Sequence, residues 1–290
     1  MTLGAVELAM SDEEFRLFQR LLRAHSGIAL GSHKRYLGEA RLARRLRALG
    51  LSSFAAYHDY LTTGDAGGEE LIRFVNAMTT NKTDFFREPH HFRYLTEVWA
   101  PTVRQRAART GERRVRLWSA GCSTGEEPYT LAMTVTEALG PSGWDLRILA
   151  SDIDTEVLAR AEAGVYTAAQ LEPVPPQLRE RSFAPVGEPG GERRWQVRPE
   201  LRALIAFRRI NFNDDPWPIR TQFDVIFCRN ALIYFDRSDQ QRILTRLNGF
   251  LQADGVLCLG HSESVLGLLG EVRHVGHTTY RKDRRAAGTP

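Results

Sequence analysis

Glu126 and Glu127 stand side by side at the start of a helical pattern, within the stretch SAGCSTGEEPYTLA from Ser119 to Ala132. The stretch follows a short apolar run, where a nucleotide-binding chain would place its phosphate-cradling loop. A dinucleotide site asks for G-x-G-x-x-G. Here Cys122, Ser123 and Thr124 separate Gly121 from Gly125, and that fingerprint is not met. Helix N-termini attract anions through free N–H groups and a partial positive charge. Two carboxylates in the first turn oppose a diphosphate and favour a cationic ligand without phosphates. S-adenosylmethionine has that character: a sulfonium, an ammonium and an unphosphorylated adenosine. The same glutamates also complete S-x-x-E and T-x-x-E capping boxes from Ser123 and Thr124, a structural role that spacing alone does not separate from ligand binding.

A second carboxylate closes the next apolar run, in ASDIDTEVL. An acidic residue there commonly accepts hydrogen bonds from ribose hydroxyls. Asp154 or Thr155 is better placed to cap the following helix, which leaves Asp152 facing the ligand. Asn211 in INFNDDPW, and Arg229 with Asn230 in FCRNALIYF, fall at further strand ends and are candidates by position. His90 and His91 raise the question of a metal. Adjacent histidines on a helix diverge and no carboxylate follows at ligand spacing, so no metal is expected. His261, just after a strand, is a candidate for the pocket edge. Cys122 and Cys228 lack a basic partner at fixed spacing and read as small packing residues.

The elements that must position these residues are of two textures. The first third is helical: SDEEFRLFQRLLRAHSGI with Ser11 as N-cap and Glu14 three residues on, YLGEARLARRLRALG closed by Gly50, and SSFAAYHDYLTTG closed by Gly64, with Ser52 or Ser53 as its cap. From Val115 short β-rich runs alternate with helical stretches, which implies parallel strands and crossover helices. Strands are expected at VRLWSA, LRILASD, IAFRRINF, FDVIFCRN and GVLCLGH, with helices near Pro128–Leu139, Thr155–Ala163 and Arg237–Phe250. Glu172 to Pro199 is too long for an ordinary connection and reads as an inserted hairpin or small subdomain. The tail RKDRRAAGTP is expected to fray.

A length of 290 residues with 42% hydrophobic content suits two domains. No run approaches the roughly 18 apolar residues of a membrane span, and three scattered cysteines do not make a disulfide framework, so a soluble, cytoplasmic protein is expected. The charge of +4 permits nucleic-acid binding without demanding it.

Taken together, TTNKTDFFREPHHF, WSAGCSTGEEPY, ASDIDTEVL, INFNDDPW, FCRNALIYF and GHSES resemble the chemotaxis receptor glutamate methyltransferases, in order and spacing, from about Phe15 to Lys282. The resemblance implies an α/β fold: a class I S-adenosylmethionine-dependent methyltransferase, Rossmann-like, its mostly parallel sheet ending in an antiparallel C-terminal strand. To this are added a small all-α N-terminal domain and an inserted β subdomain. The corresponding boundaries are 1–85 for the helical domain and linker and 86–290 for the methyltransferase domain, with the insertion at about 172–199. By position, Asn81, Thr83 and Arg87 approach the cofactor from the linker. Glu127 holds the methionine end, in a role that Glu126 is equally spaced to take, and Asp152 holds the ribose. Asn211 and Phe212 flank the adenine, and Arg229 with Asn230 closes the pocket. Arg87 and Tyr234 are the implied catalytic residues. The reaction is methyl transfer to glutamate side chains of chemoreceptors, giving methyl esters and S-adenosylhomocysteine. A methyltransferase with another acceptor, or a non-catalytic S-adenosylmethionine sensor, shares the cofactor motifs.

In HKRYLGEARLARRLRALG, Leu42, Leu46 and Leu49 share one helical face, while Lys34, Arg41, Arg44 and Arg45 cluster on another. Such a stripe is either a solvated face or a docking surface for an acidic partner, which the resemblance places at the receptor's cytoplasmic methylation helices. Aromatics do not interleave with the arginines, which argues against nucleic acid. In some members of the family the β subdomain grips a receptor tail peptide by strand addition. Nothing in the pattern asks for more than a monomer.

Overall fold

The computed structural model describes residues 9–141, 143–187, 193–265 and 272–283. The chain opens with helix α1, Asp12–Ser26, and its Ser11 N-cap forms the expected capping box with Glu14 before Gly27 ends the helix in the left-handed conformation. Helix α2, Arg35–Leu49, stops at Gly50. Ser53 caps α3, Phe54–Asp59, and a π turn over Tyr60–Gly64 extends it. Helix α4, Glu69–Met78, completes the layer without a counterpart in the sequence reading. Phe18, Leu22, Leu42, Leu46, Phe54 and Phe74 fill the centre, each worth about 1.5–3 kcal/mol of burial. Leu49 is only partly buried.

Helices α5, His90–Tyr94, and α6, Ala100–Thr110, lead into the sheet. There follow β1 (Arg114–Ala120), α7 (Glu126–Leu139), β2 (Asp145–Asp152), α8 (Thr155–Ala163), β3 (Val165–Thr167), α9 (Pro176–Ser182), β4 (Phe183–Val186), β5 (Arg194–Val197), α10 (Pro199–Arg202), β6 (Ile205–Arg209), β7 (Phe223–Cys228), α11 (Arg237–Phe250), β8 (Leu251–Leu259), β9 (Val272–Gly276) and β10 (Thr279–Lys282). The main sheet runs β6-β2-β1-β7-β8-β10-β9. Strands β6 to β8 are mutually parallel, and β10 is antiparallel to β8. Two terminal strands stand where one was expected, because β9 pairs antiparallel with β10 as a hairpin. The near-continuous burial of β7 is what a parallel strand covered on both faces requires.

A second sheet of three antiparallel strands, in the order β3-β5-β4, forms the insertion. Its first strand begins at Val165, ahead of the expected start near residue 172, because β3 borrows the residues just after α8. Phe85 of the linker packs edge-on against Tyr166 and Phe183, with ring centroids 4.9 and 5.7 Å apart, and ties this sheet to the rest. The Gly/Pro-rich tip at 188–192 and the tail at 284–290 lie outside the described residues.

Strand order reverses at β1, between β2 and β7, and ligands in open α/β sheets bind beyond the carboxyl ends at such a point. The helical layer covers that edge. Asn76 and Thr155 exchange hydrogen bonds of 2.9 and 3.2 Å, Asn211 donates to the carbonyl of His25 at 2.7 Å, and the Ala29 N–H donates to the carbonyl of Tyr234 at 2.8 Å. Among the described residues no helix is long and apolar enough to cross a membrane.

Candidate functional site

Between the helical layer and the strand ends lies a cavity with about 940 Å³ of empty space, open mouth included. Asn81, Thr83, Arg87, Glu127, Asp152, Asn211, Phe212, Arg229, Asn230 and Tyr234 all line it. These residues come from five separate segments of the sequence, and the fold brings every one of them to one wall or another.

At the first turn of α7 the expected capping boxes do not form. Gly125 occupies the N-cap with φ +97°, and no side chain caps the helix. A Cβ at Gly125 would meet the Tyr166 hydroxyl at 2.8 Å and Ala161 at 2.9 Å, so neither conformation nor space admits a side chain. The two glutamates are drawn elsewhere. Glu126 accepts from Thr124 Oγ1 at 2.7 Å and from Gln170, and does not line the cavity. Glu127, 6% exposed, accepts from Ser119 Oγ at 2.6 Å and from Arg229 Nε at 2.7 Å while facing the cavity.

Asp154, not Asp152, caps α8, accepting from the backbone of Glu156 and Val157. That leaves the Asp152 carboxylate on the cavity, where it accepts from the Ser123 N–H at 2.9 Å and the Asp154 N–H at 3.1 Å. Burial pushes its carboxyl up to about 6, against the pull of those donors. Ser123 holds φ +48° to deliver its amide, and Asn230 holds φ +57°. Such left-handed residues cost roughly 1–3 kcal/mol and persist where surrounding contacts enforce them.

Some lining residues have side chains committed to the protein itself. The Asn211 amide donates to His25 and Asp214, and its oxygen accepts from the Asn213 N–H. Asn81 donates to Asp154 at 2.7 Å and Thr79 at 3.0 Å, and its carbonyl accepts from Ser123 Oγ. Arg229 donates to Glu127, to the carbonyl of Arg87 at 2.5 Å and toward His91 Nδ1 at 3.3 Å. These three hold the walls in place.

The histidines correct an expectation. His90 and His91 do not diverge: their rings lie 4.1 Å apart, and Glu88, which precedes them, brings a carboxylate so that one ligand atom from each falls within 4.8 Å of the others. His277, in the turn between β9 and β10, packs on His90 at 4.5 Å and holds it there. The buried Arg229 guanidinium, 3.8 Å from Glu88, competes with any cation at that spot. Burial and the Arg229 charge push the His91 ring well down and keep it neutral. His261 is exposed and reaches Glu88 at 3.3 Å. All three cysteines are buried thiols.

Lys34 Nζ sits over the ring of the cavity-lining Tyr234, 5.2 Å from its centre. Arg44 is exposed. Arg41 instead donates to the carbonyls of Met78 and Thr79, and Arg45 makes a two-pronged bond to the buried Glu70 at 2.7 and 2.9 Å, which Tyr57 also reaches. The four cations are therefore not one solvated stripe, because two of them are used inside the helical domain. Three large apolar side chains are exposed nearby in chain position: Tyr36 at 74%, Leu37 at 42% and Ile233 at 49%.

Two carboxylates, Glu127 and Asp152, together with apolar lining from Ile153, Ile210 and Phe212, suit a ligand with an amine, ribose hydroxyls and an unphosphorylated base. S-adenosylmethionine fits that donor set. Residues the sequence reading passed over are Ser119, Glu88 and Glu263. Each lies within a quoted motif, but its role depends on partners far along the chain.

Comparison with known proteins bears on this geometry. The family described as CheR methyltransferase, SAM binding domain, matches residues 81–281, and CheR methyltransferase, all-alpha domain, matches residues 13–79. The chain is 43% identical over 278 residues to Chemotaxis protein methyltransferase 2 of Pseudomonas aeruginosa, covering 96% of this chain and 95% of the relative. It is 42% identical over 273 residues to the Chemotaxis protein methyltransferase of Salmonella typhimurium, covering 94% and 91%. The Escherichia coli protein of that name gives 42% identity, covering 94% and 92%.

Proposed function

The chain belongs to the CheR methyltransferase family, and from that premise we propose how its residues carry out the reaction. It is an S-adenosylmethionine-dependent methyltransferase of chemotaxis, and through the family its acceptors are glutamate side chains of chemoreceptors. Bound S-adenosylmethionine supplies an already activated methyl group. In our reading Glu127 holds its ammonium and Asp152 its ribose hydroxyls. Phe212 and the backbone around Asn211 flank the adenine. Asn81, Thr83, Arg229 and Asn230 shape the walls.

A glutamate carboxylate is ionised at neutral pH, so the acceptor needs no general base. What remains for the chain is to strip water from that carboxylate and align it, which is catalysis by proximity and desolvation. Arg87, on the cavity wall, guides the incoming carboxylate by charge. Tyr234, between the cavity and the mouth, orients it through its hydroxyl.

The acceptor docks where Lys34 and Arg44 supply positive charge and Tyr36, Leu37 and Ile233 supply apolar area. An acidic, amphipathic receptor helix suits that combination. Arg41 supports the surface from below, and Arg45 serves the fold. We divide the chain into residues 1–85 and 86–290, the inserted sheet being the place for any tail peptide, and assign it to the cytoplasm as a monomer.

The observation that carries this reading is the convergence of Arg87, Glu127, Asp152, Asn230 and Tyr234 on one cavity at the reversal of strand order. Incubation with methyl-labelled S-adenosylmethionine and chemoreceptor-bearing membranes tests it: receptor-sized bands acquire label. Cofactor binding without transfer would favour the sensing module instead.

A further inference from the structure

The loop after β7 carries Asn230, Ala231, Tyr234 and Phe235 to the cavity, and its regular structure is one short 3-10 turn at Leu232–Tyr234. Gln240 of α11 donates to its Leu232 and Phe235 carbonyls, while its Asn230, Leu232 and Ile233 N–H groups are gathered by one side chain from another loop. Glu263, 6% exposed, lies in the turn that follows β8. One of its oxygens accepts from the N–H of Asn230 at 2.8 Å and of Gly260 at 2.7 Å. The other accepts from the N–H of Leu232 at 2.8 Å and of Ile233 at 3.3 Å. The Glu263 N–H in turn donates to the carbonyl of Gly260 at 2.9 Å, closing the turn around its own carboxylate.

The surroundings fit this clamp closely. A Cβ at Gly260 would meet Asn230 Nδ2 at 2.5 Å and Glu263 Oε2 at 2.9 Å, so the turn must carry glycine there. Asn230 holds its left-handed conformation while its N–H is engaged by Glu263 and its side chain points to Glu88. Hydrogen bonds to an ionised acceptor are about twice as strong as neutral ones, which makes four of them a stiff anchor for a short loop. Glu263 does not itself line the cavity.

We propose that Glu263 is a positioning residue for methyl transfer: its carboxylate fixes the Asn230–Tyr234 loop so that Asn230 and Tyr234 meet donor and acceptor in register. This deepens the methyltransferase reading and rests on it for the kinetic arm of its test. Misplacing a reacting group by about 1 Å costs on the order of a hundredfold in rate.

Glu263→Gln keeps the side-chain shape but turns half of the clamp into a donor that faces two backbone donors. The expected result is a fall of about ten- to a hundredfold in kcat with the KM for receptor little changed and the melting transition still cooperative. Amide hydrogen exchange supplies an independent reading on the wild-type chain. The amides of Asn230, Leu232, Ile233 and Gly260 should be protected without ligand and lose protection in Glu263→Gln. Wild-type kcat in the variant, or unprotected amides in the wild-type chain, would overturn the proposal. If the variant does not fold, wild-type exchange alone decides. If the wild-type chain transfers no methyl group, the methyltransferase reading fails while the exchange result still judges the clamp.

Discussion

Arg229 Nε donates to Glu127 at 2.7 Å, and both side chains are buried beside the cavity. The pair gives the first turn of α7 a carboxylate that is fixed in direction by Ser119 and Arg229 yet still faces the cavity.

Among the described residues, Glu127→Ala leaves Arg229 with only the more distant Glu88 at 3.8 Å as a counter-charge. Breaking a buried pair costs about 3–5 kcal/mol, and the second carboxylate moves the expectation to the lower end of that range. Urea denaturation should show that loss. Calorimetry should show S-adenosylhomocysteine binding weakened by at least about tenfold, as expected for loss of a hydrogen bond to a charged group.

Asp152 gives a pH dependence whose sign follows from burial. Its carboxyl rises from the ordinary 3.8 to about 6, so in the free protein this group's contribution to stability is complete below pH 3.8 and is lost as pH rises through about 6. In the proposed complex ribose hydroxyls donate to the ionised form, and ligand binding therefore runs the other way. Affinity for S-adenosylhomocysteine should be level above pH about 6 and fall below it by up to about tenfold per unit. Asp152→Asn should bind weakly with that slope removed. A slope unchanged in the variant would assign it to another group.

The basic helix should divide into two behaviours. Lys34→Glu with Arg44→Glu should raise the KM for receptor by about five- to thirtyfold, since reversing rim charges costs roughly 1–2 kcal/mol in total, and leave S-adenosylhomocysteine binding unchanged. Arg45→Glu should instead destabilise the helical domain by about 3–5 kcal/mol, because it sets a second carboxylate against the buried Glu70. Thermal melts and initial rates on the same preparations separate the two.

Tyr234→Phe removes one hydroxyl, worth about 0.5–1.5 kcal/mol, and should lower kcat about three- to tenfold. Arg87→Ala removes a charged donor worth about 1.5–3 kcal/mol and should cost about ten- to a hundredfold. Full turnover and unchanged cofactor affinity in both variants would withdraw the roles given to them.

What the sequence made legible was local or periodic. Ser11 with Glu14, the stops at Gly50 and Gly64, and the apolar runs of β1, β2 and β7 depend on neighbours a few residues away, and they fold as read. The choice between Glu126 and Glu127 was not local. It turns on Arg229, 102 residues further on, and on Gly125 taking the cap. His90, close to His91, is packed by His277 from the far end of the chain, and Arg45 is drawn from the surface by Glu70, 25 residues away. Helix α4 and strands β3 and β9 are short or were hidden between stronger motifs, and only tertiary pairing defines them, whereas β10 is the antiparallel C-terminal strand that the resemblance implied.

The most direct test of the central claim is the chemistry of the transferred methyl group. Receptor membranes labelled by this protein from methyl-labelled S-adenosylmethionine should release that label as methanol under mild alkali, since carboxyl esters hydrolyse there and methylated amines do not. Alkali-stable label on the receptor bands would place the methyl group on nitrogen and contradict glutamate esterification.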